Sequence, residues 1–386
     1  MTNAQKWKVF FLLFMTMFLL GGIQNTKGLI LEQVQHSIDL NMGQVGTLIT
    51  LFQIGFLISS LLTGYLTDKK GLKIMMLVGS LLMIVGLMGT SLAYTVALFF
   101  GFYLVIGLGI GSMMVSIVTV IPTFYKDKAG MMFNISNAMF GVGMIVTPLI
   151  LHQLFANSVS WRAFYVGIAV IVAVLVLVLS TLKLESNAQS SMKLSDFIEL
   201  LTQKRIMVVI AFLLFYVAAE AAFLNFFPIF YAALDIADLD AAGKAAKAAY
   251  VISSFAGLFT IGRVIGGFIT LKLGERRTLI WFSILSLVSI IVSRMLVVEF
   301  VYLFMLFGFA MSVLFPTAAA IATRLTRKSG SVMGLIYVAS GFGGALAGSV
   351  IGQVSDSYGI STGFNFIIAF VAVFFVLAML IKEKAQ

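Results

Sequence analysis

The sequence contains no cysteine and few charged residues. Its 386 residues include no Cys, 4 Pro and only 10% Asp, Glu, Lys and Arg, whereas a soluble domain usually carries about 25% charged residues. The absence of Cys excludes disulfide bonds, thiolate metal ligands and a cysteine nucleophile. The shortage of charge excludes a soluble enzyme, a disordered protein and a nucleic-acid-binding module, because such a composition cannot cover a surface that faces water.

Hydrophobic residues make up 61% of the chain and occur in long runs. A helix needs about 20 mostly apolar residues to cross the hydrocarbon layer of a bilayer. Twelve runs of this kind lie near residues 8–33, 44–67, 73–93, 95–122, 130–155, 163–183, 206–232, 249–271, 278–298, 300–323, 331–353 and 362–381. The sequence therefore predicts an all-α integral membrane protein with twelve transmembrane helices.

The first run begins like a signal peptide, because Lys6 and Lys8 precede it. No small-residue cleavage pattern follows, and the apolar character continues as far as Leu31. We therefore expect a retained helix, interrupted at Gly21-Gly22 and at residues 24–28.

Basic residues predict the orientation of the chain, because they concentrate in cytoplasmic connections. If both termini are cytoplasmic, the cytoplasmic turns contain Lys69, Lys70, Lys73, Lys126, Lys128, Lys193, Lys204, Arg205, Lys272, Arg276, Arg277, Arg324, Arg327 and Lys328. The opposite turns contain only Arg162, Lys244, Lys247 and Arg294. We expect a multi-pass protein of the cell membrane with both termini in the cytoplasm. Topology and attraction to anionic lipid account for the net charge of +10 without nucleic acid.

The two sides of the polar stretch 185–205 share a pattern. Residues separated by 200 positions match, because Gly130, Gly141, Gly143 and Phe164 recur as Gly330, Gly341, Gly343 and Phe364. An internal duplication of six spans predicts two parallel six-helix repeats, 1–184 and 206–386, joined by a cytoplasmic linker at 185–205. Such repeats enclose a central cavity and suit alternating access.

A motif lies between the second and third runs, where the sequence reads Gly64-Tyr-Leu-Thr-Asp-Lys-Lys-Gly-Leu-Lys73. Gly71 supplies a turn, and Asp68 can pair with basic groups or cap a neighbouring helix. The motif resembles the signature loop of the major facilitator superfamily, G-x-L-x-D-R/K-x-G-x-R/K. A basic anchor that only sets the topology is the alternative interpretation.

The resemblance implies the major facilitator fold, and it implies that Asp68 and Lys69 latch the inner gate in the outward-facing state. In the second copy of the motif, Leu271 stands where the acid would be. The predicted gate residues are Asp68, Lys69, Lys73 and Arg263.

Three further stretches resemble the branch that contains the L-fucose–proton symporter and the bacterial glucose/mannose porters. They are residues 21–28, residues 216–220, and residues 315–317 continuing through Gly343-Gly344 to Gly359. This branch often has a carboxylate near Asn25, which is absent here, and Tyr103 replaces an arginine found in many proton-coupled members.

Glu220 lies deep in the seventh run, where an ionisable group requires a partner or a wet cavity. We expect it to carry the coupling proton, and a structural carboxylate between helices is the alternative. Lys27 has three interpretations: an anion-binding group, a partner of Glu220, or a side chain that extends to the headgroups.

Polar and aromatic residues of the spans offer hydrogen bonds or stacking to a solute, although amides also bridge helices in membranes. The predicted substrate-binding residues are Gln24, Asn25, Lys27, Asn134, Asn137, Tyr216, Asn225 and Tyr337.

The sequence therefore predicts a secondary active transporter of a small polar solute, such as a sugar, coupled to protons. A proton-driven exporter of drugs or of an amphipathic or anionic metabolite is the alternative. No ATP-binding loop, enzyme motif, metal site or cofactor site is found in the sequence. We expect a monomer whose partners are the solute, protons and membrane lipid.

Overall fold

A computed structural model describes residues 3–38, 42–182, 184, 198–236 and 239–382, and these residues are overwhelmingly helical. Two short 3-10 helices, Lys126–Lys128 and Val301–Leu303, join longer elements. The α-helices, numbered in chain order, are α1 Asn3–Ser37, α2 Met42–Lys70, α3 Leu72–Ser91, α4 Val96–Phe124, α5 Ala129–Ala156, α6 Trp161–Ser180, α7 Lys204–Ala232, α8 Ala241–Leu273, α9 Glu275–Met295, α10 Phe304–Met311, α11 Leu314–Arg324, α12 Ser329–Tyr358 and α13 Ile360–Leu380.

Each predicted apolar run coincides with a helix, and α10 and α11 together form the tenth. Among the described residues, 11 helical segments are long and apolar enough to cross a membrane. One of them, Val301–Arg324, combines α10 and α11, and α2 is not among the 11. The prediction of an all-helical membrane protein is confirmed, whereas the number of twelve spans stays a prediction.

The expected interruption of α1 is wrong, because the helix continues from Asn3 to Ser37. A Cβ atom at Gly21 would lie 2.0 Å from the carbonyl oxygen of Phe140 in α5, and one at Gly22 would lie 2.1 Å from the Thr147 hydroxyl. The two glycines therefore let α1 and α5 approach closely instead of breaking the helix.

The described chain forms two compact units. The first contains Met1–Lys126, Met139–Phe197 and Lys328–Tyr337, and the second contains Asp127–Ala138, Ile198–Arg327 and Val338–Gln386. The units differ from the predicted repeats at two short segments. The start of α5 groups with the second unit, and the start of α12 groups with the first unit. The repeat boundaries themselves stay predictions.

Farther along α5 and α12, glycines bring each of these two helices close to another helix. In the first unit, a Cβ atom at Gly143 of α5 would lie 1.9 Å from the carbonyl oxygen of Phe18 in α1. In the second unit, a Cβ atom at Gly343 of α12 would lie 2.3 Å from the carbonyl oxygen of Leu214 in α7. Both helices are therefore in direct backbone contact with the first helix of their own sequence half.

The second unit has an aromatic core. The ring of Phe223 lies 4.6 Å from that of Phe255 and 5.6 Å from that of Phe304, measured between ring centroids. Phe230 and Phe364 stack at 4.3 Å. All five side chains are fully buried, so these rings pack the interior of the unit.

Replacement of Gly21 by Ala tests the close contact between α1 and α5. The added methyl group would overlap the Phe140 carbonyl, and overpacking of this kind costs about 1–3 kcal/mol. We expect a lower Tm for the detergent-solubilised protein. The matched control is Gly167→Ala in α6, where nothing lies within 4 Å of the added atom. Equal Tm values for the two variants would contradict this packing.

Candidate functional site

Glu220 lies near the middle of α7. It is about 16 residues from the start of the helix at Lys204 and about 12 from its end at Ala232, which places it about 18–24 Å from either end. Its side chain is half-buried. No other Asp or Glu side chain that the structure describes lies so far from both ends of a helix. A carboxylate at this depth is costly unless a charged or polar partner stabilises it.

Arg263 of α8 supplies such a partner. Its positive charge acts electrostatically on Glu220, and Tyr216 is the second neighbour that interacts with this carboxylate. Tyr216 is fully buried, and its ring packs 6.0 Å from that of Phe315. The structure therefore brings two predicted residues of α7 together with a third from α8.

The guanidinium of Arg263 is only 7% exposed and has two further contacts. Its Nη1 donates a hydrogen bond of 3.0 Å to the backbone oxygen of Asn137 in α5, and its Cζ lies 4.2 Å from the ring centroid of Phe259. Arg263 was predicted to be a gate residue, and that role stays a prediction. The structure places it beside Glu220, because its position on α8 directs the side chain towards α5 and α7.

The predicted amide ligands of α5 are largely occupied. Asn134 is fully buried, and its Nδ2 donates to the backbone oxygen of Gly130 at 2.8 Å and to the Thr317 hydroxyl at 3.2 Å. Asn137 is 8% exposed and donates to the backbone oxygen of Phe133 at 2.9 Å. Asn134 therefore bridges α5 and α11, whereas the side chain of Asn137 binds its own helix, and the role of both in solute binding stays a prediction.

The remaining predicted ligands occupy different settings. Gln24 is half-buried and Asn225 is exposed. Tyr337 is 7% exposed and lies edge-on to Phe56, with ring centroids 6.1 Å apart. Asn25 and Lys27 belong to the helical backbone of α1, but their side chains lie outside the described part of the chain.

A second set of contacts lies at a helix start. Asp68, near the end of α2, is 8% exposed. The backbone N–H of Gly330 donates to its Oδ1 at 3.0 Å, and the backbone N–H of Ser331 donates to its Oδ2 at 2.7 Å. These N–H groups belong to the first turn of α12, which has no acceptors of its own for them. Asp68 therefore caps α12, and Gly71, with a φ of 99°, follows the last residue of α2 within the motif.

The two predicted gate lysines do not join this contact. Lys69 donates to the hydroxyl of Tyr65 in its own helix at 3.2 Å. Lys73 donates to the backbone oxygens of Ser180 and Leu182 at 3.0 and 2.7 Å, at the end of α6. Lys73 therefore fastens α3 to α6, because the last carbonyl groups of a helix attract a cation.

Glu275 and Arg324 were missed by the sequence analysis. Glu275 is the first residue of α9, and its Oε1 accepts a 3.1 Å hydrogen bond from the backbone N–H of Gly130 in α5. The same oxygen lies 3.0 Å from Nη2 of Arg324. The sequence did contain a signal for Glu275, because it is an acid directly after Gly274. It lies four positions beyond Leu271, the residue that matches Asp68 in the second copy of the motif.

Replacement of Asp68 by Asn tests the cap on α12. Asn presents one N–H₂ group where the carboxylate presents a second acceptor, so one of the two backbone donors loses its partner and the negative charge is lost. We expect the capped arrangement to lose about 1–3 kcal/mol.

The natural chain has no cysteine, so a single cysteine can be introduced at Val332, which is fully buried beside the cap. Loss of the cap should expose this cysteine and accelerate its labelling by a maleimide. Asp127→Asn, at an exposed acid, is the matched control and should leave the rate unchanged. Unchanged labelling in the Asp68 variant would contradict the role of this carboxylate.

The chain resembles several known proteins. The TsgA homologue of Citrobacter koseri is 25% identical over 179 residues, or 46% of each chain, and the TsgA protein of Salmonella arizonae is 26% identical over 172 residues, or 44% of each. The chain thus spans about half the length of these curated relatives. A crystal structure of FucP in the outward conformation has a TM-score of 0.82 and 20% identity over 97% of this chain and 99% of that one.

The proton:xylose symporter XylE has a TM-score of 0.75 at 12% identity, over 99% of this chain and 97% of that one. At these identities the two structures show a shared fold. The sequence model described as Major Facilitator Superfamily matches residues 9–348 and 240–385. The chain therefore belongs to the major facilitator superfamily of membrane transporters.

Proposed function

We propose that this transporter moves a small polar solute of the sugar class together with protons, and that Glu220 accepts the coupling proton. The observation that carries the proposal is a carboxylate deep in α7 that interacts with Arg263 and Tyr216 and yet remains half-buried. A carboxyl group with these neighbours can take up a proton, and its change of charge then acts on Arg263.

The contacts of Arg263 suggest how a proton changes the protein. An ionised Glu220 compensates the guanidinium charge, and a protonated one does not. Arg263 also donates to the backbone oxygen of Asn137, so the charge of Glu220 affects the contact between α8 and α5. A buried cation that loses its counter-charge is strongly destabilised, and protonation therefore favours a rearrangement of this contact.

The solute class is supported by the structural relatives. FucP is described as a fucose:proton symporter of E. coli, and XylE as a proton:xylose symporter bound to 6-bromo-6-deoxy-D-glucose. Groups that suit hydroxyl-rich solutes in this chain are Gln24, Asn25, Lys27, Tyr216, Asn225 and Tyr337. Asn134 and Asn137 are weaker candidates, because their side-chain N–H groups already donate within the protein.

We also propose that transport proceeds by alternating access of two six-helix repeats with cytoplasmic termini. Contacts that recur between equivalent elements support the repeats. Lys73 in the first turn of α3 binds the backbone oxygen of Leu182 after α6, and Arg276 in the first turn of α9 binds that of Ile381 after α13 at 2.9 Å.

Reconstituted proteoliposomes test the coupling. Under an imposed inward proton gradient, we expect accumulation of a radiolabelled solute from a panel that contains L-fucose, D-xylose and D-glucose. Glu220→Gln keeps the shape of the side chain but cannot release a proton. This variant should abolish gradient-driven accumulation and retain exchange of labelled for unlabelled solute, because exchange requires no net proton movement.

The matched control is Glu299→Gln, the same chemical change at an exposed residue, which should accumulate solute normally. Normal accumulation by Glu220→Gln would refute the proton assignment. Solute expulsion against an inward proton gradient, with no accumulation of any sugar, would favour the exporter instead.

A further inference from the structure

The guanidinium of Arg263 lies over an aromatic ring of its own helix. Phe259 precedes Arg263 by one turn of α8, so the two side chains share one face of the helix. The Cζ atom of Arg263 is 4.2 Å from the centroid of the Phe259 ring, and both side chains are less than a tenth exposed. The negative face of an aromatic ring attracts a cation, and the attraction is strongest where water is excluded.

Two further rings hold the Phe259 ring in place. Phe255 stacks on Phe259 with ring centroids 5.7 Å apart and an angle of 16° between the ring planes. Phe255 also stacks on Phe223 of α7 at 4.6 Å. We call these three rings the aromatic column. Because Phe223 lies three residues after Glu220, the column connects the ring beneath Arg263 to the helix that carries Glu220.

The aromatic column explains how a long side chain is kept in one position. An arginine has many rotamers, and the hydrogen bond to the backbone oxygen of Asn137 restrains Arg263 at Nη1. The attraction of Glu220 changes when that carboxylate takes up a proton, whereas a phenyl ring does not titrate. Phe259 therefore stabilises the guanidinium in both charge states of Glu220.

We propose that Phe259 is a positioning residue for coupling, which holds Arg263 where the charge of Glu220 acts on the contact between α8 and α5. This inference rests on the proposed role of Glu220 as acceptor of the coupling proton. Without the ring, the guanidinium samples other rotamers, and a change of charge at Glu220 no longer controls the hydrogen bond to Asn137. Proton movement and solute movement then lose their link, while the solute pathway itself is retained.

Replacement of Phe259 by Leu tests the proposal in proteoliposomes. Leu keeps an apolar side chain at this position but has no ring face. We expect gradient-driven accumulation of the sugar that the wild-type protein transports to fall roughly tenfold, since a desolvated contact between a cation and a ring is worth about one such factor. Exchange of labelled for unlabelled sugar should be retained, because exchange requires no net proton movement. An equal loss of accumulation and exchange would indicate a merely structural role and overturn the proposal.

The matched control is Phe282→Leu in α9. Phe282 is 7% exposed, as deeply buried as Phe259, and its ring packs 5.9 Å from that of Phe309. The control should change accumulation and exchange to the same extent or leave both unchanged. A selective loss of accumulation in both variants would overturn the assignment to Phe259.

Fluorinated phenylalanines at position 259 separate the electrostatic attraction from packing. Each fluorine withdraws electron density from the ring face and changes the shape of the ring little, so mono-, di- and trifluorophenylalanine weaken the attraction to Arg263 in steps. We expect accumulation to fall in the same order while exchange is retained. Equal accumulation by the three fluorinated proteins and the wild type would overturn the proposal, even if Phe259→Leu fails to fold.

A measurement without solute separates this inference from the coupling role of Glu220. Phenylglyoxal reacts with accessible guanidinium groups, and mass spectrometry of the peptide that contains Arg263 gives the extent of the reaction. Phe259→Leu should increase the modification of Arg263 several-fold, and Phe282→Leu should leave it unchanged. Unchanged modification in Phe259→Leu would overturn the positioning role.

The two assignments fail in different ways. If Glu220→Gln accumulates sugar normally while Phe259→Leu exposes Arg263, the proton assignment is refuted and the position of Arg263 still depends on the ring. If Glu220→Gln loses accumulation and Phe259→Leu keeps it, the positioning role alone is overturned.

Discussion

The structure depends on one constraint: a polar group inside an apolar bilayer must find its partner within the protein. Arg263 and Glu220 are the clearest response to it. The guanidinium donates to a backbone oxygen, lies over the ring of Phe259 and balances a carboxylate on the next helix. Each of these contacts offsets part of the cost of a charge at this depth, and together they connect α5, α7 and α8.

The same constraint governs the helix ends, where four N–H and four C=O groups lack partners within the helix. Acids serve the starts of α12 and α5, and basic residues serve the ends of α6 and α13. Arg162 adds another example, since its Nη1 donates to the backbone oxygens of Ser91, the last residue of α3, and of Ala93 just after it. Charged side chains are scarce in this sequence, and many of them are used to complete helix termini.

Much of the fold could be predicted from the sequence, because a helix that crosses a membrane satisfies its own backbone and therefore appears as a single apolar run. The continuity of α1 could not be predicted in this way. Whether Gly21-Gly22 breaks a helix or permits close packing depends on Phe140 and Thr147, which lie more than a hundred residues away in the sequence.

The candidate site could be predicted only in part, because it also depends on contacts between residues that are distant in the sequence. The depth of Glu220 in its helix can be counted along the sequence. The residues that surround Glu220 cannot be identified in this way, because they come from other helices. Arg263 belongs to the site because of the direction of its side chain on α8, and Glu275 reaches the start of α5 because a new helix begins after Gly274. A motif fixes positions in the chain, whereas the path of the backbone decides which side chain faces inward. Asn25 and Lys27 stay predictions.

The glycine contacts of α5 and α12 make each of these helices a rod supported at two points. In α5 the supports are the cap at Gly130 and the backbone contact of Gly143 with Phe18, about 20 Å apart along the helix. By geometry alone, a rotation of about 10° about Gly143 would displace Gly130 by about 3–4 Å. A displacement of this size exceeds the tolerance of a hydrogen bond, so a rotation of a few degrees in α5 is sufficient to break the buried contact between Glu275 and Gly130.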